Sequence, residues 1–291
     1  MSERTIFEVA RAGAERLRVA GIETPELDAE VLMRHLLNQT QVEYFLHRNE
    51  PIAESTRQEF DALIDQRIER ISVAYLVGER EFMGLTFRVG PGVLVPRPET
   101  ESMVLAVVGW LVYNNRMRAR VVDVGTGSGA IAISVCHHVP REHLEEVVAI
   151  DNSPRALIWA RENLATLGSM NVPVRFVLGH LLDDVEGPVD VILANLPYLK
   201  PEQVEGNPDL ASEPVEALVS GPEGLDLIRE LLADLGRVLA ADGMAMLEID
   251  PSQAATLLAE ASALFPEARV FIEQDLSNRD RFLSIDRGEP M

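Results

Sequence analysis

The stretch Val121–Ser134, VVDVGTGSGAIAIS, joins an apolar strand pattern, a glycine-rich turn and an apolar helix pattern. Gly125, Gly127 and Gly129 place no side chains in the turn, so a ligand can approach the backbone closely. The next predicted strand, EVVAID, ends at Asp151, 22 residues after Gly129. An acid at that strand end can accept hydrogen bonds from both hydroxyls of a ribose. The stretch therefore predicts a nucleotide-type ligand at the carboxyl ends of strands in an α/β sheet.

The glycine spacing distinguishes between two classes of ligand. Dinucleotide enzymes carry G-x-G-x-x-G, with a helix N-terminus facing a pyrophosphate, whereas residues 125–130 read GTGSGA. Asp123 precedes the turn, and its charge would repel phosphate but favour a cation. Both features suit S-adenosylmethionine, which has a sulfonium and an ammonium group and no phosphate. A dinucleotide oxidoreductase is disfavoured. A turn that binds nothing is the alternative, but it needs neither three glycines nor a placed acid.

Strand and helix patterns alternate through most of the chain after residue 120. Apolar runs predict seven strands: RVVDVG, EVVAID, VRFVLG, VDVILAN, GMAMLEI, ARVFIEQ and RFLSID. Alternation with helices predicts parallel winding. The last two strands are joined only by DLSNRD, which is too short for a parallel crossover, so we expect an antiparallel edge. The predicted fold is a doubly wound, Rossmann-like α/β fold with a seven-stranded mixed sheet.

Two further segments precede this fold and have different patterns. Residues 1–73 show helical periodicity and predict a small helical bundle domain. Residues 74–95 alternate apolar and polar side chains around glycine turns, which predicts a β-hairpin linker. The α/β domain then occupies residues 96–291. Because the bundle holds no candidate nucleophile or metal cluster, we expect it to recognise a partner.

The composition narrows the classes of function. Apolar residues make up 47% and charged residues 25% of the chain, as in soluble globular proteins. A net charge of −21 argues against sequence-independent binding of nucleic-acid phosphates. The single cysteine, Cys136, excludes an intrachain disulfide, and the histidines lack metal-ligand spacing. We find no signal-peptide pattern, and the longest apolar run, Met103–Tyr113, is shorter than the roughly 20 residues of a spanning helix. We expect a cytoplasmic protein without a metal or a membrane segment.

A second motif, Asn195-Leu196-Pro197-Tyr198, follows the strand that should lie beside the first. The Asn195 amide offers one acceptor and two donors, so it can bind a planar amide or amine nitrogen. The carbonyl of Leu196, held by Pro197, can accept a second hydrogen, and Tyr198 can stack on the planar group. An uncharged site of this kind works by orientation and preorganised electrostatics. We predict catalytic roles for Asn195, Pro197 and Tyr198; an Asx-type turn is the alternative.

These motifs together resemble the HemK/PrmC family, the N5-glutamine methyltransferases that modify peptide-chain release factors. The resemblance runs through EFMGLTFRVGPGVLVPRPETE, DVGTGSGAIAIS, AIDNSPRALIWARENL, ANLPYL, SEPVEALVSGPEGLD and LEIDPSQ. It implies methyl transfer from S-adenosylmethionine, leaving S-adenosylhomocysteine, to the glutamine of the Gly-Gly-Gln loop of a release factor. We accordingly expect a monomer that binds a protein partner and does not bind nucleic acid directly.

By matching position, the resemblance also implies which residues form the site. The methyl donor would contact Gly125, Thr126, Gly127, Ser128, Gly129, Asp151, Leu181 and Asn195. The glutamine would lie against Asn195, Leu196, Pro197 and Tyr198, with Pro96, Arg97, Pro98, Glu99 and Thr100 lining the site. The last run also has the composition of a helix start, which is its alternative interpretation.

Three positions depart from the family pattern. Leu196 replaces the usual proline, and Asn-Leu-Pro-Tyr also resembles the rRNA adenine dimethyltransferases. An adenine-N6 methyltransferase acting on RNA or DNA is therefore the alternative function, although the charge of −21 opposes it. His180 and Leu181 stand where an acid and an aromatic are usual, so donor affinity would differ. Asp250 replaces a glycine near Glu248, and we interpret both acids as lying at the surface or outside direct contact. A non-catalytic binder is disfavoured by the intact asparagine, proline and tyrosine.

Overall fold

A computed structural model describes residues 4–168, 170 and 172–288 of the chain. Residues 1–3 and 289–291, which end the predicted domains, lie outside the described residues. The chain forms two units: one extends to Glu79 and includes Asn207–Ser212, and the other comprises Arg80–Gly206 and the chain from Glu213. The bounds 1–73, 74–95 and 96–291 divide the chain differently and stay a prediction.

The first unit is helical throughout its described elements. Within residues 4–79 the helices are α1 Ile6–Val19, α2 Pro25–Leu37, α3 Gln41–His47, α4 Glu54–Ile68 and α5 Val73–Val77. The first helix starts at a capping box, in which Thr5 and Glu8 each accept a hydrogen bond from the other's backbone N–H. The buried side chains of Leu17, Leu32 and Phe60 contribute to its core. The residues after Val73, predicted to begin the hairpin, form the short helix α5 instead.

Arg67 explains why Asn207–Ser212 belongs to this unit. Its guanidinium is buried and binds Asp28 and Asp209, each at 2.8 Å. The backbone N–H of Ser72 donates to Ser212 Oγ at 3.2 Å. These contacts attach a segment that lies far along the sequence to the helical core.

The second unit holds the predicted mixed sheet. A two-stranded sheet pairs β1 Glu79–Phe82 with β2 Leu85–Arg88. The described residues also form a seven-stranded sheet in the order β5-β4-β3-β6-β7-β9-β8, with β9 antiparallel to both neighbours. The bounds are β3 Ala119–Val124, β4 Leu144–Asp151, β5 Val174–Leu178, β6 Val189–Ala194, β7 Leu239–Glu248, β8 Arg269–Gln274 and β9 Asp280–Asp286. The doubly wound architecture and the antiparallel edge are confirmed.

Helices cover both faces of this sheet. They are α6 Glu101–Tyr113, α7 Ala130–His138, α8 Pro154–Leu167, α10 Asp226–Val238 and α11 Ala254–Leu264. The short helix α9 Pro201–Glu205 follows β6 along the chain and buries none of its residues. Along β3, Val121 packs into a core with α6 and α7, whereas Val122 and Val124 pack into the other core with α10 and α11. Strands buried on both faces are apolar at nearly every position, which is the pattern seen in the sequence. No described helix has both the length and the apolar character needed to cross a membrane.

The strand register positions the functional motifs. Val124 pairs with Ala194, and Ala194 pairs in turn with Leu247, so β3, β6 and β7 end side by side. The next residues along these strands are Gly125, Asn195 and Glu248. Three motifs far apart in sequence therefore meet at the carboxyl edge of the sheet, where ligands bind in open α/β folds.

Candidate active site

A pocket of about 1020 Å³, including its open mouth, lies at this carboxyl edge. The glycine-rich turn, the end of β4, the chain after β6 and the segment before α6 form its walls. Its lining includes most of the predicted site residues: Gly125, Thr126, Gly127, Ser128, Asp151, Leu181, Asn195, Leu196, Pro197, Pro96, Arg97 and Thr100. Four predicted residues, Pro98, Glu99, Gly129 and Tyr198, are not part of the lining.

Asp151 is fixed by backbone donors at the end of β4. Its Oδ2 accepts from the N–H of Gly127 at 2.8 Å, and its Oδ1 accepts from the N–H of Ser153 at 2.8 Å. Burial raises the pKa of the Asp151 carboxyl, and the two backbone N–H donors oppose that rise. Because each carboxylate oxygen has a further lone pair, Asp151 can still accept hydrogen bonds from a ligand.

Gly129 has a packing role in the structure. A Cβ atom at this position would lie 3.0 Å from Ile133 Cδ1 and 3.2 Å from Ala160 Cβ. Its φ of +81° is also a conformation that favours glycine. The residue therefore lets α7 pack closely on α8, while its contact with a methyl donor stays a prediction.

Asp123 lies beneath the turn and not in the pocket. Its buried Oδ2 accepts from Thr126 Oγ1 at 2.6 Å and from the N–H of Ala132 at 3.1 Å. Among the described residues, none binds its buried Oδ1. Burial raises the pKa of Asp123 to about 7. The carboxyl thus braces the turn from below, rather than facing a ligand as its place in the sequence suggested.

Glu248 links the asparagine motif to the start of α6. The Asn195 amide donates from Nδ2 to Thr100 Oγ1 at 3.1 Å, and Thr100 Oγ1 donates to Glu248 Oε2 at 2.6 Å. The Tyr198 hydroxyl donates to Glu248 Oε1 at 3.1 Å. Glu248 is 1% exposed and does not line the pocket, so of its two interpretations the surface acid is wrong and the acid outside direct contact agrees with the structure. The predicted stacking of the Tyr198 ring on a substrate stays a prediction.

The ionisation of Glu248 depends on opposing influences. Burial raises the pKa of the Glu248 carboxyl, and the charge of Glu99 raises it further. Hydrogen bonds from Thr100 and Tyr198, together with the charge of Arg281, lower that pKa. Two hydroxyl donors and a nearby guanidinium are the partners that a buried carboxylate requires.

Asp250, the second acid of that segment, caps a short helix. Its Oδ1 accepts from the N–H of Ser252 at 2.9 Å, at the start of the 3₁₀ helix Pro251–Gln253. Its Oδ2 also accepts from Gln203 Nε2 at 3.3 Å. The acid that replaces the usual glycine is therefore explained by local capping.

Leu196 fills the space beside the glycine turn. It is 5% exposed, and its Cδ2 would lie 2.9 Å from a Cβ atom on Gly125. A side chain at position 125 would therefore collide with the asparagine motif. Gly125 also has a φ of +74°, which favours glycine, so the contact and the backbone conformation together explain why the first position of the turn is glycine.

The PRPET run combines both roles proposed for it. Pro98–Thr100 forms a 3₁₀ turn that leads into α6, as a helix start would. Arg97, just before it, lines the pocket and binds the buried Glu213 at 2.5 Å. Glu213 also accepts from the N–H of Val95 at 3.0 Å, which fixes this wall of the pocket.

The charges of the lining suit a cationic ligand better than a phosphate. Arg97 is paired with Glu213, and His180 Nε2 lies 2.8 Å from Glu230. The carboxylates of Asp151 and Glu216 line the same pocket. Phosphate sites instead present uncommitted cations or several free N–H donors. No cluster of potential metal ligands occurs among the described residues.

Comparison with known proteins matches both parts of the chain. Residues 8–78 match the model of the PrmC N-terminal domain, and residues 109–220 match that of the methyltransferase small domain. A solved 16S rRNA N2 G1207 methyltransferase from T. thermophilus, in complex with AdoMet and guanosine, is 16% identical with a TM-score of 0.50. The match covers 72% of this chain and 49% of that one, and it shows the fold alone.

Two curated relatives extend over nearly the whole chain. The release factor glutamine methyltransferase of Moorella thermoacetica is 37% identical over 290 residues, covering 98% of this chain and all of the relative. That of Deinococcus radiodurans is 36% identical over 274 residues, covering 94% of this chain and 95% of the relative. Identity at this level over full length shows common family membership. The chain therefore belongs to the release factor glutamine methyltransferase family.

Proposed function

We propose that the protein transfers a methyl group from S-adenosylmethionine to the side-chain amide nitrogen of glutamine in the Gly-Gly-Gln loop of a peptide chain release factor. The observation that carries this proposal is the Asn195 amide, which lies beside the glycine turn in a pocket without an uncommitted cation among its described residues. Membership of the family supports the choice of substrate. We further propose that the enzyme acts as a monomer.

The residues of the pocket fit the proposed donor. S-adenosylmethionine supplies an electrophilic methyl group on a sulfonium. Gly125 and Gly127 line the pocket, Gly127 leaves room for a ligand against the backbone, and Asp151 can accept from ribose hydroxyls. Ser128 and Leu181 complete the same wall. The carboxylates that line the pocket favour the positive charges of this donor.

The amide of Asn195 suits a neutral, planar acceptor nitrogen. Its Nδ2 donates to Thr100, and none of the described residues donates to its Oδ1. That oxygen can therefore accept one N–H of the substrate glutamine, and the Leu196 carbonyl can accept the other. A glutamine nitrogen is a weak nucleophile because its lone pair is delocalised. Holding both hydrogens orients the lone pair and stabilises the positive charge that develops on nitrogen as the N–C bond forms and the S–C bond of the donor breaks. One proton then leaves the nitrogen for solvent.

The test uses labelled S-adenosylmethionine and purified enzyme with three acceptors. These are a release factor, the same factor with its Gly-Gly-Gln glutamine changed to asparagine, and ribosomal RNA. The proposal predicts label on the unchanged factor alone. Label on RNA would contradict it and favour the adenine-N6 alternative that Leu196 raises. Label on both forms of the factor would also contradict it, because the acceptor would then lie elsewhere.

A further inference from the structure

Glu248 is a buried acid, and its side-chain hydrogen bonds to the described residues lead to Tyr198 of the asparagine motif and to Thr100, the partner of Asn195. It is the last residue of β7, the strand that pairs with β6, and 148 residues of sequence separate it from Thr100. Its two oxygens accept from two different hydroxyls, those of Thr100 and Tyr198. The methyl transfer derived above assigns no task to this carboxylate.

The direction of these hydrogen bonds follows from the chemistry of a carboxylate. Both Glu248 oxygens accept from hydroxyls, and a carboxylate in its ionised form can only accept, so Thr100 then uses its one hydroxyl proton on Glu248. The Thr100 oxygen is then left as an acceptor toward Asn195. An asparagine amide has nearly the same shape in both orientations, so its hydrogen bonds decide which end faces which neighbour. Because Thr100 can only accept here, Asn195 must turn Nδ2 toward it.

We propose that Glu248 is a positioning residue that, acting through Thr100, sets the orientation of the Asn195 amide and presents Oδ1 to the substrate. This assignment rests on the proposed methyl transfer, because an acceptor nitrogen that carries N–H hydrogens, such as the glutamine amide, needs that oxygen. In the opposite orientation Nδ2 would face the substrate nitrogen, so two donors would meet. The two orientations have nearly the same shape, but only the one that turns Oδ1 toward the substrate can bind the glutamine amide.

The kinetic test compares substitutions of Glu248 and of Thr100, the two residues that this hydrogen bond joins. Glu248→Gln can donate to Thr100, which frees Thr100 to donate to Asn195 Oδ1 and removes the selection. We expect kcat to fall about tenfold or more, with the Kd for S-adenosylmethionine within about threefold of wild type. Thr100→Val, which keeps the shape but not the hydroxyl, should lose a similar factor, whereas Thr100→Ser should keep at least about a third of kcat. The double variant Glu248→Gln/Thr100→Val should lose clearly less than the product of the two single losses.

A matched control is available in the same sheet. Glu273 accepts from Ser284 Oγ at 2.5 Å, as Glu248 does from Thr100, but Ser284 does not line the active-site pocket, whereas Thr100 does. Glu273→Gln should therefore leave kcat within about twofold of wild type. A Glu248→Gln enzyme with normal kcat would overturn the proposal, as would losses that multiply in the double variant. If Glu248→Gln does not fold, equal activity of Thr100→Val and Thr100→Ser would overturn it.

A measurement on the free protein separates this proposal from the proposed function. In wild type, nuclear Overhauser effects should connect the Asn195 Nδ2 protons to the methyl group of Thr100, and they should weaken in Glu248→Gln. If that pattern holds but no release factor is methylated, the proposed function fails and the orientation stands. If release factor is methylated but the pattern is absent from wild type or unchanged in the variant, the positioning role of Glu248 fails.

Discussion

Gln253 donates a hydrogen bond from Nε2 to the backbone carbonyl of Tyr198 at 2.8 Å. The same nitrogen lies within 3.2 Å of the carbonyl oxygens of Glu223 and Gly224. The segments LEIDPSQ and GPEGLD thus support the end of the asparagine motif from behind. LEIDPSQ and the GPEGLD end of SEPVEALVSGPEGLD do not line the pocket, and this support gives both a physical purpose in this chain.

Gly224 lies so close to the backbone carbonyl of Tyr198 that we expect Gly224→Ala to destabilise the protein strongly. A Cβ atom there would lie 2.1 Å from Tyr198 O, and the φ of Gly224 is +74°. We expect a loss of about 2 kcal/mol or more in the free energy of unfolding, measured by urea titration, together with reduced methyl transfer. Gly109→Ala is the control, because Gly109 lies in α6 with no atom within 4 Å of the new Cβ. It should raise stability by about 0.5–1 kcal/mol. Equal effects of the two substitutions would contradict this account.

The buried carboxyl of Asp123 predicts a specific dependence of stability on pH. Its pKa is raised from 3.8 to about 7, so the folded protein holds a proton that the unfolded chain releases near pH 4. The contribution of this group to stability is therefore complete below about pH 4 and is lost as the pH rises to about 7. Asp123→Asn removes the titration. Urea unfolding at several pH values should show wild type losing stability relative to the variant across this window. Parallel curves would show that the carboxyl does not titrate there.

Glu213→Gln is expected to weaken the pocket wall that carries Arg97. The carboxylate of Glu213 is 1% exposed and accepts from Val95 as well as from Arg97. An amide in its place sets its NH2 donor against either the Arg97 guanidinium or the Val95 N–H, and we expect a loss of about 1–3 kcal/mol in the free energy of unfolding. Glu145 offers a comparison, because its ion pair with Arg118 at 3.2 Å is exposed. Glu145→Gln should change stability by less than about 0.5 kcal/mol. If Glu213→Gln changed stability as little as Glu145→Gln, the role of Glu213 in fixing the pocket wall would be contradicted.

Asn195→Ala should reduce turnover far more than donor binding. The substitution removes the acceptor proposed for the glutamine N–H, a contact that strengthens as charge develops in the transition state. We expect kcat to fall by about 10²-fold or more, with the Kd for S-adenosylmethionine within about threefold of wild type by calorimetry. An unchanged kcat would remove the role assigned to Asn195. A loss of donor affinity as large as the loss of kcat would place its main contact on the donor.

The sheet and much of the pocket could be predicted because their signals are local. Alternating strand and helix patterns predict the winding, and the winding alone is enough to place Asn195 beside Gly125. The link between Glu248 and Thr100 could not be predicted, because a contact across 148 residues depends on the strand register and leaves no local pattern. The short helix α5, of five residues, carries too few turns for a periodic signal, and its residues are predicted to begin the hairpin. The packing of Gly129 against Ala160 likewise depends on how two helices meet.

The central claim is that the pocket beside Asn195 pairs the methyl donor with a neutral amide nitrogen. A crystal structure of the protein with S-adenosylmethionine tests it most directly. The account predicts the donor between the glycine turn and Asp151, with its reactive methyl directed at the space beside the Asn195 side-chain oxygen, where the glutamine nitrogen would lie. A donor bound anywhere else, or an Asn195 side chain turned away from that methyl, would contradict it.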